Sequence, residues 1–176
     1  MRLSTRLTVS TLGAVARRTA PLLGVVLLAS ACVTGDITAV ANIPSNPAVE
    51  TFAPSTGVVI ANMTRVNNNL FIQDNPIGTG KAAAAGDSVF LRYTGRLING
   101  NVFDTNVNNG KPTINFVLGS GFVIPGWDQG LLGLRVGGRR KLVIGSALAY
   151  QNQSPDPRTI PNNATLVFDV ELINAK

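Results

Sequence analysis

Pro125-Gly126-Trp127-Asp128-Gln129-Gly130-Leu131-Leu132-Gly133-Leu134 reads as helix, while the segments on both sides of it read as strands. Trp127, Leu131 and Leu134 fall at i, i+4 and i+7, on one helical face. Pro125 suits the first turn, where its missing N–H loses no hydrogen bond. Gly130 and Gly133 keep the helix short, because an interior glycine costs about 1 kcal/mol relative to alanine. Upstream, Val89, Leu91 and Tyr93 alternate with Phe90 and Arg92, the period of a half-buried strand. Asn99-Gly100 lies between Arg96-Leu97-Ile98 and Asn101-Val102-Phe103. This is a hairpin signal, since both residues tolerate positive φ. Downstream, Leu142 and Ile144 alternate with Lys141 and Val143. Leu166, Phe168, Val170 and Leu172 alternate with Val167, Asp169 and Glu171, an inward and outward pattern. Several strands and one short amphipathic helix predict a two-layer α+β domain, an antiparallel sheet with the helix against it.

This texture begins at about Val66 and gives a domain at 66–176. Residues 32–65 are rich in Thr, Ala, Asn and Pro and sustain no helical period. They read as a tether, with Gly57-Val58-Val59-Ile60 a candidate short strand. Residues 1–31 have a basic start, the apolar run Pro21–Ala29 and then small residues. The run is far below the roughly 20 residues of a membrane-spanning helix and fits a secretory signal peptide. Its end, Leu28-Ala29-Ser30-Ala31-Cys32, resembles a bacterial lipobox, although Ala29 stands where leucine is usual. The resemblance implies cleavage before Cys32 and lipid attachment to its thiol. The protein would then be anchored to a membrane of the bacterial cell envelope, on its periplasmic or surface side. An ordinary signal peptide with an incidental cysteine is the alternative.

Composition narrows the function. The formal charge is +6, but four of the fifteen basic residues (Arg2, Arg6, Arg17 and Arg18) precede Cys32, leaving eleven against nine acidic residues. The basic bias is thus largely a targeting signal, and no nucleic-acid partner is expected. Arg139-Arg140-Lys141 reads as a solvated turn, with a small docking patch as the alternative. Histidine is absent and Cys32 is the sole cysteine. Ser-His-Asp and Cys-His catalysis, an intrachain disulfide and a thiolate metal cluster are all excluded. No cofactor and no metal are expected, so any catalysis rests on shape, hydrogen bonds and exclusion of water.

The order of segments then becomes informative. Leu70-Phe71-Ile72-Gln73-Asp74, Gly78-Thr79-Gly80 and Gly86-Asp87-Ser88-Val89 are followed by Tyr93-Thr94-Gly95-Arg96-Leu97 and Phe103-Asp104. Val123-Ile124-Pro125-Gly126-Trp127, Gly137-Gly138-Arg139-Arg140, Ala149-Tyr150, Ile160-Pro161 and Ala164–Leu172 complete the series. In this order and spacing the chain resembles the FKBP-type peptidyl-prolyl isomerases over about residues 66–175. Gly78-Thr79-Gly80 alone would pass for a dinucleotide loop, but no strand-to-helix context follows it. The resemblance implies a strongly curved antiparallel sheet wrapped around one short helix, with an apolar active site between them. It implies Trp127 as the pocket floor and Tyr93, Phe103, Val123, Ile124, Ile160 and Phe168 as its walls, with Asp104 and Tyr150 as its side-chain polar groups. It further implies that the Ile124 N–H binds a substrate carbonyl. Catalytic roles fall on Phe103, Asp104 and Tyr150.

The chain departs from the family pattern in places. Gln151 replaces a usual glycine, the segments 106–113 and 151–159 each carry one extra residue, and aliphatic Ile114 stands where an aromatic is expected. These departures fall on the pocket rim, where substrate preference is set.

Such a site suits rotation about X–Pro bonds. The barrier, about 18–20 kcal/mol, comes from amide resonance, and no proton or covalent intermediate is needed. The implied partners are proline-containing client proteins and, through the family, macrolides of the tacrolimus and rapamycin type. Two rivals remain at this stage: a non-catalytic chaperone or binding module, and a structural envelope lipoprotein that docks partners.

Overall fold

The computed structural model describes residues 44–176; the expected signal peptide and Cys32 lie outside the described residues. Seven strands form one antiparallel sheet: β1 (Thr64–Asn67), β2 (Leu70–Asp74), β3 (Ser88–Leu97), β4 (Val102–Thr105), β5 (Ile114–Val117), β6 (Arg139–Ile144) and β7 (Leu166–Ala175). The order is β1-β2-β6-β7-β3-β4, with β5 also paired to β3. β5 lies against Ser88–Leu91 and β4 against Thr94–Arg96, so both share one edge of β3. The α+β class expected from the sequence is the observed one.

The helix α1 (Pro125–Gly130) covers one face of the sheet. Pro125 opens it, and Leu131 and Leu134 continue its apolar face just beyond its end, both buried. Gly126 lets the helix approach β6. A Cβ there would lie 2.4 Å from an Ile144 methyl carbon. Leu70, Leu91, Leu142, Ile144, Leu166 and Leu172 rise from the sheet to meet the helix and are fully buried. Full burial of such a side chain contributes roughly 1.5–3 kcal/mol.

Three local expectations are refined or corrected. The hairpin expected at Asn99-Gly100 is present and joins β3 to β4, with a loop wider than the Asn-Gly pair. The turn spans residues 98–101, closed by Leu97 N–H to Asn101 O (2.9 Å), and only Gly100 takes positive φ. A register shift between Gly95 and Arg96 absorbs the wider loop.

Secondly, residues 52–63 do not behave as a tether. The candidate strand at 57–60 is replaced by two 3₁₀ turns, Pro54–Thr56 and Ile60–Asn62. Phe52, Val58, Ile60 and Met63 pack over Phe71, Val143 and Val167, which stand in register across β2, β6 and β7. The sheet is therefore apolar on both faces at this end. Polar contacts fasten the segment as well. Ala53 N–H donates to Ile98 O (2.8 Å), and Ser45 and Ser146 exchange hydrogen bonds of 3.1 and 2.7 Å.

Finally, Arg139-Arg140-Lys141 is neither a turn nor one patch. It lies in β6, so alternate side chains go to opposite faces. Arg140 is buried, with Nε and Nη2 on Asp74 (2.5 and 2.8 Å) and Nη1 on the Gly130 and Leu132 carbonyls at the end of the helical segment. Arg139 pairs with Glu171, and Lys141 with Asp169 and the Thr56 carbonyl.

Candidate active site

The same helix and sheet enclose an aromatic basket. Trp127, in the first turn of α1, meets the Tyr93 ring of β3 at 5.2 Å between centroids and the Phe168 ring of β7 at 5.2 Å, both edge to face. Phe103 of β4 packs edge to face on Phe168 at 5.6 Å. These geometries match the ring quadrupoles. Gly95 makes room for them, since a Cβ there would fall 2.6 Å from the Phe103 ring and 2.9 Å from that of Phe168.

Above Trp127 the basket opens as a hollow of about 410 Å³. It is lined by Tyr93, Phe103, Asp104, Ile114, Phe122, Val123, Ile124, Trp127, Tyr150 and Phe168. The structure thus brings together every site residue expected from the sequence except Ile160 and Cys32. Ile160 is buried in the core behind the wall, where its N–H bonds Asp156 O and its carbonyl accepts from Ser154. Cys32 lies outside the described residues.

The polar groups gather at one carboxylate. Asp104 Oδ2 accepts from the Tyr93 hydroxyl, while Oδ1 accepts from the Thr105 N–H (2.8 Å) and from Lys111 (3.3 Å). Burial, then the Asp104 hydrogen bond and charge, push the Tyr93 hydroxyl well above the ordinary tyrosine range. Burial and the Asp104 charge raise Tyr150 likewise. Both phenols therefore remain protonated donors at neutral pH. The Tyr150 hydroxyl and the Ile124 N–H have no intrachain acceptor among the described residues, so both are free to bind a ligand. The indole N–H of Trp127 is buried without a partner. Among the described residues, no three His, Cys, Asp or Glu side chains gather as a metal site requires.

Other contributors were not singled out from the sequence. Asn106 is buried, accepting from the Tyr93 N–H (2.8 Å) and donating to Leu91 O and Pro112 O. It pins the 106–113 segment to β3 and so brings Lys111 to Asp104. Asp128, in the first turn of α1, accepts the Gly119 and Gly121 N–H groups at 2.8 and 3.0 Å. It thereby holds the loop leading to Val123 and Ile124. Phe122, in that loop, is 71% exposed yet stacks on Phe116 and lines the hollow.

The site is thus an apolar hollow between an antiparallel sheet and one short helix, with a tyrosine-bound carboxylate at its rim. Comparison with known proteins sets this arrangement in a family. Residues 79–173 match the FKBP-type peptidyl-prolyl cis-trans isomerase family, more than half of the chain, and the chain belongs to that family. It is 49% identical over 114 residues to FK506-binding protein 4 of Rhizopus delemar, covering 65% of this chain and 29% of that protein. It is 52% identical over 92 residues to FK506-binding protein 2 of Yarrowia lipolytica, covering 52% and 62%. The chain therefore spans less than two thirds of the length of these relatives. Among solved structures it is similar to FkpA from Escherichia coli, with TM-score 0.59 and 39% identity over 65% of this chain and 52% of that one. It is also similar to a peptidyl-prolyl cis-trans isomerase from Pseudomonas syringae pv. tomato, with TM-score 0.57 and 31% identity over 65% and 81%.

Proposed function

We propose that this protein catalyses cis-trans isomerisation of X–Pro bonds in unfolded or partly folded client proteins of the cell envelope. The observation that carries the reading is the hollow itself, with the Trp127 floor, the Phe103 and Phe168 walls and the few polar groups at its rim. X–Pro isomers are nearly equal in energy but exchange in tens to hundreds of seconds. Twisting the bond breaks amide resonance and leaves the carbonyl less polar. An apolar hollow therefore destabilises the planar amide more than the twisted one, which is differential binding of the transition state. Lowering the barrier by roughly 5–7 kcal/mol gives about four to five orders of magnitude in rate. The Ile124 N–H and Tyr150 hydroxyl hold the client carbonyls. Tyr93, fixed by Asp104, keeps its ring against the proline.

The names of the fungal relatives state that they bind FK506. The aromatic basket supports the same ligand class here: tacrolimus- and rapamycin-type macrolides occupy the hollow. The basic start, short apolar run and small residues before the lone cysteine support a bacterial lipoprotein form. Processing would then divide the chain into signal peptide 1–31, a segment beginning at Cys32 and the isomerase domain. Acyl chains on Cys32, at roughly 0.8 kcal/mol per buried methylene, would hold that domain on a membrane.

The test is cis-to-trans exchange of a short proline peptide, followed by NMR. The protein accelerates it and folded Phe103→Ala does so far less. Binding of the peptide without acceleration would favour a non-catalytic chaperone. The anchor is tested by fractionating Cys32→Ala. The variant leaves the membrane fraction, and one that stays acylated and membrane-bound overturns the anchor.

A further inference from the structure

Phe103 lines two hollows. Besides the candidate active site it borders a second one of about 430 Å³, between Leu97, Asn101 and Val102 of the β3–β4 hairpin and Arg158, Thr159 and Pro161 before β7. Rotation about a peptide bond does not need this second space. Its walls also differ in kind, since Phe103 is the sole aromatic and Arg158 supplies a positive charge.

The Arg158 side chain is 91% exposed, and only its Nε is engaged, 3.1 Å from Asp156 Oδ1. Its terminal N–H groups bond nothing among the described residues, which leaves them free for the planar, two-pronged contact that guanidinium makes with carboxylate. The turn that presents Arg158 is fixed rather than slack. Thr159 N–H and Ile160 N–H both donate to Asp156 O, at 3.0 and 2.9 Å, and Ser154 Oγ donates to Ile160 O at 2.5 Å. This is the longer 151–159 segment in which the chain departs from its family pattern.

An extended chain advances about 3.3 Å per residue. A client with its proline in the first hollow therefore crosses the Phe103 ring within two or three residues. We propose, resting on the isomerase reading above, that the second hollow is an accessory client subsite and that Arg158 selects an acidic side chain two or three residues from the proline.

The experiment uses the full chain and peptides with a constant X–Pro core. Glu, Ala or Lys is placed singly at the second and third positions on either side. Both kcat/KM and Kd, the latter from Trp127 fluorescence, are measured. At one of these positions wild type prefers Glu to Lys by about three- to fivefold, the range of an exposed ion pair, and the preference shrinks with added salt. Arg158→Glu reverses it and Arg158→Lys retains it. Both variants fold, because the side chain lies in solvent. A Glu-to-Lys ratio that is the same in wild type and Arg158→Glu at every position overturns the subsite, even with isomerisation intact. Peptide binding without accelerated exchange overturns the isomerase reading instead, and the Kd ratios alone then decide the subsite. A protein that binds none of the peptides at millimolar concentration overturns both.

Discussion

Tyr150 and Phe103 line one hollow and act on it through different physics. Tyr150 offers a hydroxyl with no intrachain acceptor among the described residues. Removing it in Tyr150→Phe deletes one hydrogen bond, worth roughly 0.5–1.5 kcal/mol net, and lowers kcat/KM by about tenfold or less. Phe103 supplies area. Its ring packs edge to face on Phe168 and separates the hollow from the space beside Arg158. Phe103→Ala admits water where the proline ring should be dry, and its loss exceeds that of Tyr150→Phe. Stopped-flow or NMR exchange on both variants, with circular dichroism to verify folding, checks the order. An inactive Tyr150→Phe beside a nearly active, folded Phe103→Ala would reverse it and refute the desolvation account. Lys111 and Asp104 form an exposed pair, with side chains 58% and 43% accessible. Such a pair contributes little to stability by itself.

At the scale of elements, the segment 52–63 is part of the fold. Met63, Phe71, Val143 and Val167 are buried together on the sheet face opposite the helix, beneath Phe52, Val58 and Ile60. A chain begun at Val66 exposes Phe71, Val143 and Val167. Each fully buried side chain of this size contributes roughly 1.5–3 kcal/mol, and area-based values are upper estimates. Several kcal/mol are therefore at stake, and the shorter chain melts at least about 10 °C below one begun at Pro44. Equal midpoints by calorimetry would show the cover to be dispensable. The sequence already carried the sign of this second core. Leu142-Val143-Ile144 and Leu166-Val167-Phe168 are unbroken apolar triplets, as strands buried on both faces are. Reading them as strict alternation puts Val143 and Val167 outward, whereas both are 0% exposed. Where burial was one-sided, as along Val89, Leu91 and Tyr93, period two was enough. The site divides in the same way. Trp127, Tyr93, Phe103 and Phe168 are aromatics fixed by regular elements, so their convergence follows from the fold. Asn106, Lys111 and Phe122 act through loop conformations that local composition does not specify.

For the molecule as a whole, the placement of its tyrosines and its tryptophan makes the site directly observable. The chain has two tyrosines and one tryptophan, and Tyr93, Tyr150 and Trp127 all line the hollow. Burial and Asp104 raise both phenols above the ordinary value of 10.0. Between pH 6 and 9 both stay protonated whether the chain is folded or not. They contribute no pH dependence to stability there, and the isomerisation rate is flat across neutrality. Above about pH 10 the unfolded chain releases phenolic protons that the folded chain retains. The unfolded state then binds fewer protons, so stability falls as pH rises toward the folded-state values. Tyrosinate absorbance should consequently show no independent titration near pH 10. It should rise later and cooperatively, together with the Trp127 fluorescence change that marks opening of the basket. A macrolide that fills the hollow and binds the folded state alone should move both signals to higher pH, by an amount that grows with the logarithm of its free concentration over Kd. Smooth ionisation of either tyrosine near pH 10 with Trp127 fluorescence unchanged would mean that its hydroxyl is neither desolvated nor under the influence of Asp104. The polar half of the site would then have to be redrawn.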